Sequence, residues 1–228
     1  MSNHLNEWSK IWQMPNYNQN VDNQHFIIKK LVASYAAQLA ASLKLAASCV
    51  AICLLLTSSH HPVDPPFMAW TEGYALSPAD YLAQADFNST YQASTSYSVS
   101  NRWEWLNDNE LQIEIICRFY PNASWIKPNP TAELLTHEQK HFDLGEIYAR
   151  QMRKKLQLTK LMAVNCNEMV ENIIQETRND CFARQRAYDA ATSHGINAAQ
   201  QQYWNELIIN ELAALQDYKN RQFSVFPK

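Results

Sequence analysis

Residues 125–133, WIKPNPTAE, divide the chain into two kinds of sequence. A Pro-x-Pro step ends a helix interior or a paired strand, so whatever pattern runs into it must stop there. Before it, TYQASTSYSVSNRWEW and ELQIEIICRFY are rich in β-branched and aromatic residues with partial period-two alternation, which predicts strands. LNDNE between them carries hairpin-turn chemistry. After it, Thr131 is placed to cap a helix, and the pattern stays helical nearly to the end. The expected helices cover residues 132–156, 160–188 and 197–218. The third carries an apolar stripe at Trp204, Leu207, Ile208, Leu212 and Leu215. DAATSHGIN separates the last two, with Gly195 able to take positive φ and end a helix. The expected fold is α+β, a small antiparallel sheet followed by about three helices.

The 228 residues, 46% of them hydrophobic, suffice for one sizeable core and not for two large domains. A net charge of −3 without any basic stripe argues against nucleic acid as a partner. Only 3 glycines are present, and none forms a phosphate-cradling loop, so nucleotide chemistry is not expected.

The N-terminal third has a different character. Residues 1–25 are polar, rich in Asn and Gln, and read as disordered. Residues 26–57 turn apolar behind Lys29, Lys30 and Lys44, and LAASCVAICLLLTSS has the length of a signal-peptide core. The alternative to cleavage is retention as a membrane anchor through residues 31–57. A Pro-rich linker, 58–66, leads to a domain expected over 67–220. Export is therefore expected, to a periplasmic, secreted or membrane-anchored location. In such a place two of Cys117, Cys166 and Cys181 could pair. One helix carrying both Cys166 and Cys181 would hold them more than about 20 Å apart, too far for a bond.

Within the first expected helix lies LLTHEQKHFDLGE, residues 134–146. His137 and His141, four apart, project from one helix face within reach of a single Zn²⁺. Glu138 is turned about 100° away, where a carboxylate can take a proton from water without ligating the metal. This is the H-E-x-x-H pattern of two ligands and a general base. A solvated face with incidental histidines would spell the same letters, but three features oppose that reading. The helix follows a strand-rich segment. Gly145 continues the histidine stripe at a cost of about 1 kcal/mol in helix propensity, as if another element approaches there. Leu134, Leu135, Phe142 and Leu144 would bury the imidazoles unless something coordinates them.

A catalytic zinc needs a third protein ligand. His194, in the turn after the second helix, is the remaining histidine beyond the linker. If the two long helices form an antiparallel hairpin, residues 175–180 return level with His141, which leaves Glu176 and Asp189 as rivals. Asp189 could instead orient a ligand imidazole. Tyr188 could present a phenol to an oxyanion, or simply pack in the core.

The pairing of LLTHEQKHFDLGEIYARQMRKKL with YDAATSHGINAAQQQYWNELI resembles the DUF922 family of predicted secreted Zn-dependent proteases. FYPNASWIKP fits the same family, as does the weaker MAWTEGYALSPADYLAQ, so the resemblance covers about residues 67–215. It implies a zincin-like domain with His137, Glu138 and His141 as the zinc site. Tyr188, Asp189, Thr192 and His194 fall in its second motif. The expected function is that of an exported zinc metallopeptidase acting on a peptide or protein, with Zn²⁺ as cofactor and Glu138 as base. One alternative is a cell-envelope binding protein with a structural or vestigial zinc. Another is a zinc hydrolase of a different amide, such as a cell-wall cross-link.

Overall fold

A computed structural model describes residues 66–228, which lie within one compact unit, Pro62–Lys228. The polar segment 1–25, the signal or anchor segment 26–57 and nearly all of the linker fall outside the described residues. Among the described residues no helix is long and apolar enough to cross a membrane.

The elements run in the order β1 (Met68–Ala69), β2 (Ala93–Ser94), β3 (Tyr97–Asn107), β4 (Glu110–Phe119) and β5 (Trp125–Ile126). Then come α1 (Ala132–Leu158), α2 (Cys166–Thr192), α3 (Ala198–Ala214) and β6 (Gln222–Val225). The hairpin between β3 and β4 turns at Asp108 and Asn109, where Asn107 Oδ1 accepts from Asn109 N at 3.0 Å. On the other edge of β4, β1 pairs antiparallel with its C-terminal end and β6 with its N-terminal end. β2 and β5 form a separate two-stranded ladder. The architecture is the small antiparallel sheet and three helices expected of an α+β chain.

The alternation along β4 sets one face of the sheet. Leu111, Ile113, Ile115, Cys117 and Phe119 are all buried and pack with Phe142, Ala149 and Met152 of α1. A second cluster of Leu144, Ile147, Tyr188, Trp204 and Ile208 joins α1 to α2 and α3. Helix α1 is thus buried on opposite faces, by the sheet on one and by two helices on the other. Gly145 is where the sheet comes closest. An added Cβ there would stand 2.8 Å from Cys117 Sγ and 2.9 Å from the Tyr97 ring, contacts no side chain tolerates.

Buried charge also fixes α1. Arg150 and Arg153 both donate to Glu146 Oε1, at 3.0 and 2.9 Å. Arg153 reaches the carbonyls of Ile115 and Tyr218, and Arg150 that of Leu212, so the cluster joins the sheet to α3 and the turn beyond it. A pair buried this deeply holds only because nearly every donor is satisfied.

Three expectations need correction. The domain does not stop at 220, since β6 pairs with β4 and Val225 is buried. α3 ends at Ala214, and a 3-10 turn covers Gln216–Tyr218. α1 runs on to Leu158 and residues 159–165 separate it from α2, so the level of α2 opposite His141 is shifted toward its C-terminus. Gln185 stands there, where residues 175–180 were expected. The three described cysteines are free and buried.

Candidate metal centre

Thr131 caps α1 as expected, its side chain accepting from Leu134 N at 3.2 Å. One and a half turns on, His137 is buried, and His141 lies one turn further along the same face. Their Nε2 atoms are 3.2 Å apart. Asp189 of α2 brings Oδ1 to 3.3 Å from His137 Nε2 and 3.0 Å from His141 Nε2. His194 Nδ1 stands 3.5 Å from the same oxygen. The ligand atoms of His137, Asp189 and His194 all lie within 4.8 Å of one another.

Three imidazoles therefore face one carboxylate oxygen. That oxygen is buried and makes no well-formed hydrogen bond. Four donors about 2.0–2.1 Å from one ion in a tetrahedron stand about 3.3 Å from each other. Four of the six separations, 3.0 to 3.5 Å, scatter around that edge length, and the donors of His137, Asp189 and His194 form the mutually close set. Three nitrogens and one carboxylate oxygen also suit zinc chemically. The donor set fits a divalent ion.

The supporting residues hold both rings in the tautomer a metal requires. His141 Nδ1 is 2.5 Å from Gln185 Oε1, and Gln185 Nε2 donates to the His141 carbonyl at 3.0 Å. His137 Nδ1 is 3.1 Å from Gln201 Oε1. An amide oxygen can only accept, so each Nδ1 carries the proton and each Nε2 presents its lone pair to the centre. Gln201 Nε2 donates to Tyr188 Oη at 2.8 Å, and Tyr188 Oη donates to the His137 carbonyl at 3.2 Å.

Tyr188 consequently sits beneath the centre. Its ring stacks on His137 at 4.7 Å and 23°, it is fully buried, and burial pushes its phenol well above the ordinary value. Its hydroxyl and ring seat the His137 imidazole. Glu176 is exposed on α2, more than three turns before Asp189, and is not at the site.

The left-handed turn after α2 explains the TSHG letters. Ser193, His194 and Gly195 take φ of 49°, 55° and 83° in succession. His194 N caps the helix on the Asp189 carbonyl at 3.0 Å, which folds its ring back over the Asp189 side chain. Two non-glycine residues in this region cost about 1–2 kcal/mol each, a strain that recurs at functional sites. Gly195 is needed twice over, for its φ and because a Cβ there would stand 3.0 Å from His137 Cβ.

Electrostatics follow from the crowding. Burial opposes charge on His141, but the neighbouring Asp189 carboxylate outweighs it, helped by Glu138 and Gln185, and raises the imidazole to about 9. Burial would also raise Asp189, yet the surrounding imidazoles hold it well below the usual carboxylate range.

Glu138 is buried beside the centre and accepts from Thr95 Oγ1 at 2.5 Å. Thr95 is in turn 2.9 Å from Tyr81 Oη. Gln185, Gln201, Thr95 and Tyr81 were not singled out from the sequence. Only Gln185 left a trace there, four residues before Asp189 on the same helical face.

The family model described as "Bacterial protein of unknown function (DUF922)" matches residues 123–195. No curated protein and no solved structure matches the chain. The matched stretch begins before β5 and closes on the left-handed turn, so it takes in His137, Glu138, His141, Gln185, Asp189 and His194. Over that stretch the chain is similar to the DUF922 family.

Proposed function

We propose that this protein is a zinc-dependent hydrolase that cleaves peptide bonds outside the cytoplasm. The observation that carries the reading is the gathering of His137, His141 and His194 around Asp189 Oδ1, with the Glu138 carboxylate buried alongside. Bound there, zinc would supply Lewis acidity for polarising a scissile carbonyl and acidifying water. Gln185 and Gln201 keep both Nε2 lone pairs directed at the centre, where they would hold the ion. Glu138, which no donor atom of the centre engages, is the group that takes a proton from water and returns it to the leaving amine. The outward address rests on the lysine-flanked apolar segment at 26–57.

One observation favours a second reading. Three imidazoles and a carboxylate would fill a tetrahedron, and a filled sphere marks a structural zinc. The chain would then be a binding protein of the cell envelope. Metal analysis of the purified full chain, with X-ray absorption at the zinc edge and a quenched-fluorescence peptide pool as substrate, separates the two. An ion with three protein ligands and measurable cleavage supports the hydrolase. Four protein ligands and no cleavage overturn it.

A further inference from the structure

Glu138 is the only carboxylate in the H-E-x-x-H stretch that could serve as base, and it is held from outside the family-matched residues. Its carboxylate can only accept when ionised, so the single Thr95 hydroxyl proton points at Oε2. Thr95 then has no proton left for Tyr81, and Tyr81 must donate to Thr95 Oγ1. The direction of the chain is forced: Tyr81 to Thr95 to Glu138.

All three residues are buried, at 8%, 5% and 5% exposure. The Tyr81 ring is set edge-on against Phe119 at 5.5 Å, in the core beneath the sheet. Thr95 lies between β2 and β3, both backbone-paired. The two hydroxyls are thus fixed by the fold and not by the site. Among the described residues nothing donates to Glu138 Oε1. One carboxylate oxygen is tied, and the other is left for a proton.

We propose that Thr95, backed by Tyr81, is the positioning residue for Glu138, holding its carboxylate at the angle from which Oε1 meets water and keeping it from swinging onto the metal as a further ligand. The proposal rests on the hydrolase reading above. A misplacement of a catalytic group by about 1 Å can cost about 100-fold in rate, which sets the scale of the effect.

The test uses the full zinc-loaded chain and the Thr95→Val, Thr95→Ser, Tyr81→Phe and Glu138→Gln variants. Cleavage of a quenched peptide pool is followed as separate kcat and KM. The visible spectrum of the Co²⁺-substituted protein reports the ligand set without needing activity. Thr95→Val is expected to lower kcat roughly 10- to 100-fold at unchanged KM. Its Co²⁺ spectrum should shift toward a higher coordination number. Thr95→Ser restores both, and Tyr81→Phe falls between. Thr95→Val with wild-type kcat and an unchanged Co²⁺ spectrum overturns the proposal, as does a Thr95→Ser that behaves like Thr95→Val. If wild type and Glu138→Gln are equally inactive, the hydrolase reading has failed. The Co²⁺ spectrum of Thr95→Val then decides alone: a shift that Glu138→Gln abolishes in the double variant supports Thr95 as the restraint, and no shift refutes it.

Discussion

Gln185 grips His141 at two points: its amide oxygen stands 2.5 Å from the ring Nδ1, and its amide nitrogen donates to the His141 carbonyl at 3.0 Å. One side chain on α2 therefore sets both the tautomer of the ring and its distance from α1. Gln185→Leu should remove that control while keeping the volume. Zinc affinity is expected to fall about 10- to 100-fold, measured by competition with a chromophoric chelator. Unchanged affinity would mean that Gln185 only packs.

Glu138→Gln should keep its zinc, because none of the centre's donor atoms is replaced. Loss of a general base costs about 10²–10⁴-fold in rate, read as kcat/KM on any peptide that wild type cleaves. A variant that loses metal as readily as His137→Ala would show Glu138 to be a ligand.

The ligand set is tested by three substitutions in α2 and its turn. His194→Ala and Asp189→Ala should each release zinc to a chelator far faster than wild type, since their ligand atoms lie 3.5 Å apart and within 4.8 Å of that of His137. Glu176→Ala, exposed and remote, should behave as wild type. Retention by Asp189→Ala with loss by His194→Ala would assign Asp189 to orienting the imidazoles.

The two helix-associated glycines should fail in different ways. Gly145→Ala forces a methyl into the Cys117 and Tyr97 side chains and should cost about 1–3 kcal/mol of stability in denaturant unfolding. Zinc affinity of the folded fraction should change little. Gly195→Ala combines a φ of 83° with a Cβ 3.0 Å from His137 Cβ. It should cost a similar amount, about 1–3 kcal/mol, and weaken zinc binding as well. Equal metal affinity in both variants would show that the turn does not seat His137.

Fusing residues 1–66 to a reporter active only outside the cytoplasm should give signal, because lysines precede an apolar stretch and prolines follow it. A reporter that stays wholly in the cytoplasm would remove the export reading.

Much of this was legible in the letters. Thr131, the LNDNE turn and the positive φ of Gly195 act through neighbours within five residues, so they show locally. His137 and His141 share one helix face with Glu138 about 100° round from it, and spacing alone brings them together. Thr95 and Tyr81 could not be found this way, since 43 residues separate Thr95 from the carboxylate it holds and only the folded sheet brings them together. Glu146, Arg150 and Arg153 gave no signal in the sequence, because their burial is imposed by α3 and β4 and not by their own segment. The level of α2 against α1 was misjudged because the connecting segment has no pattern that reveals its length. β6 was missed because four residues, QFSV, are too few to show a period.

The buried arginines also impose an order in time. Arg153 is satisfied in part by the Tyr218 carbonyl, and β4 gains its second neighbour on that edge only when residues 222–225 arrive. Until the ribosome has released them, Glu146 and its two partners are not closed off from water and half of a central strand has a bare edge. The helix that bears both histidines therefore cannot be locked while synthesis of this stretch is still under way.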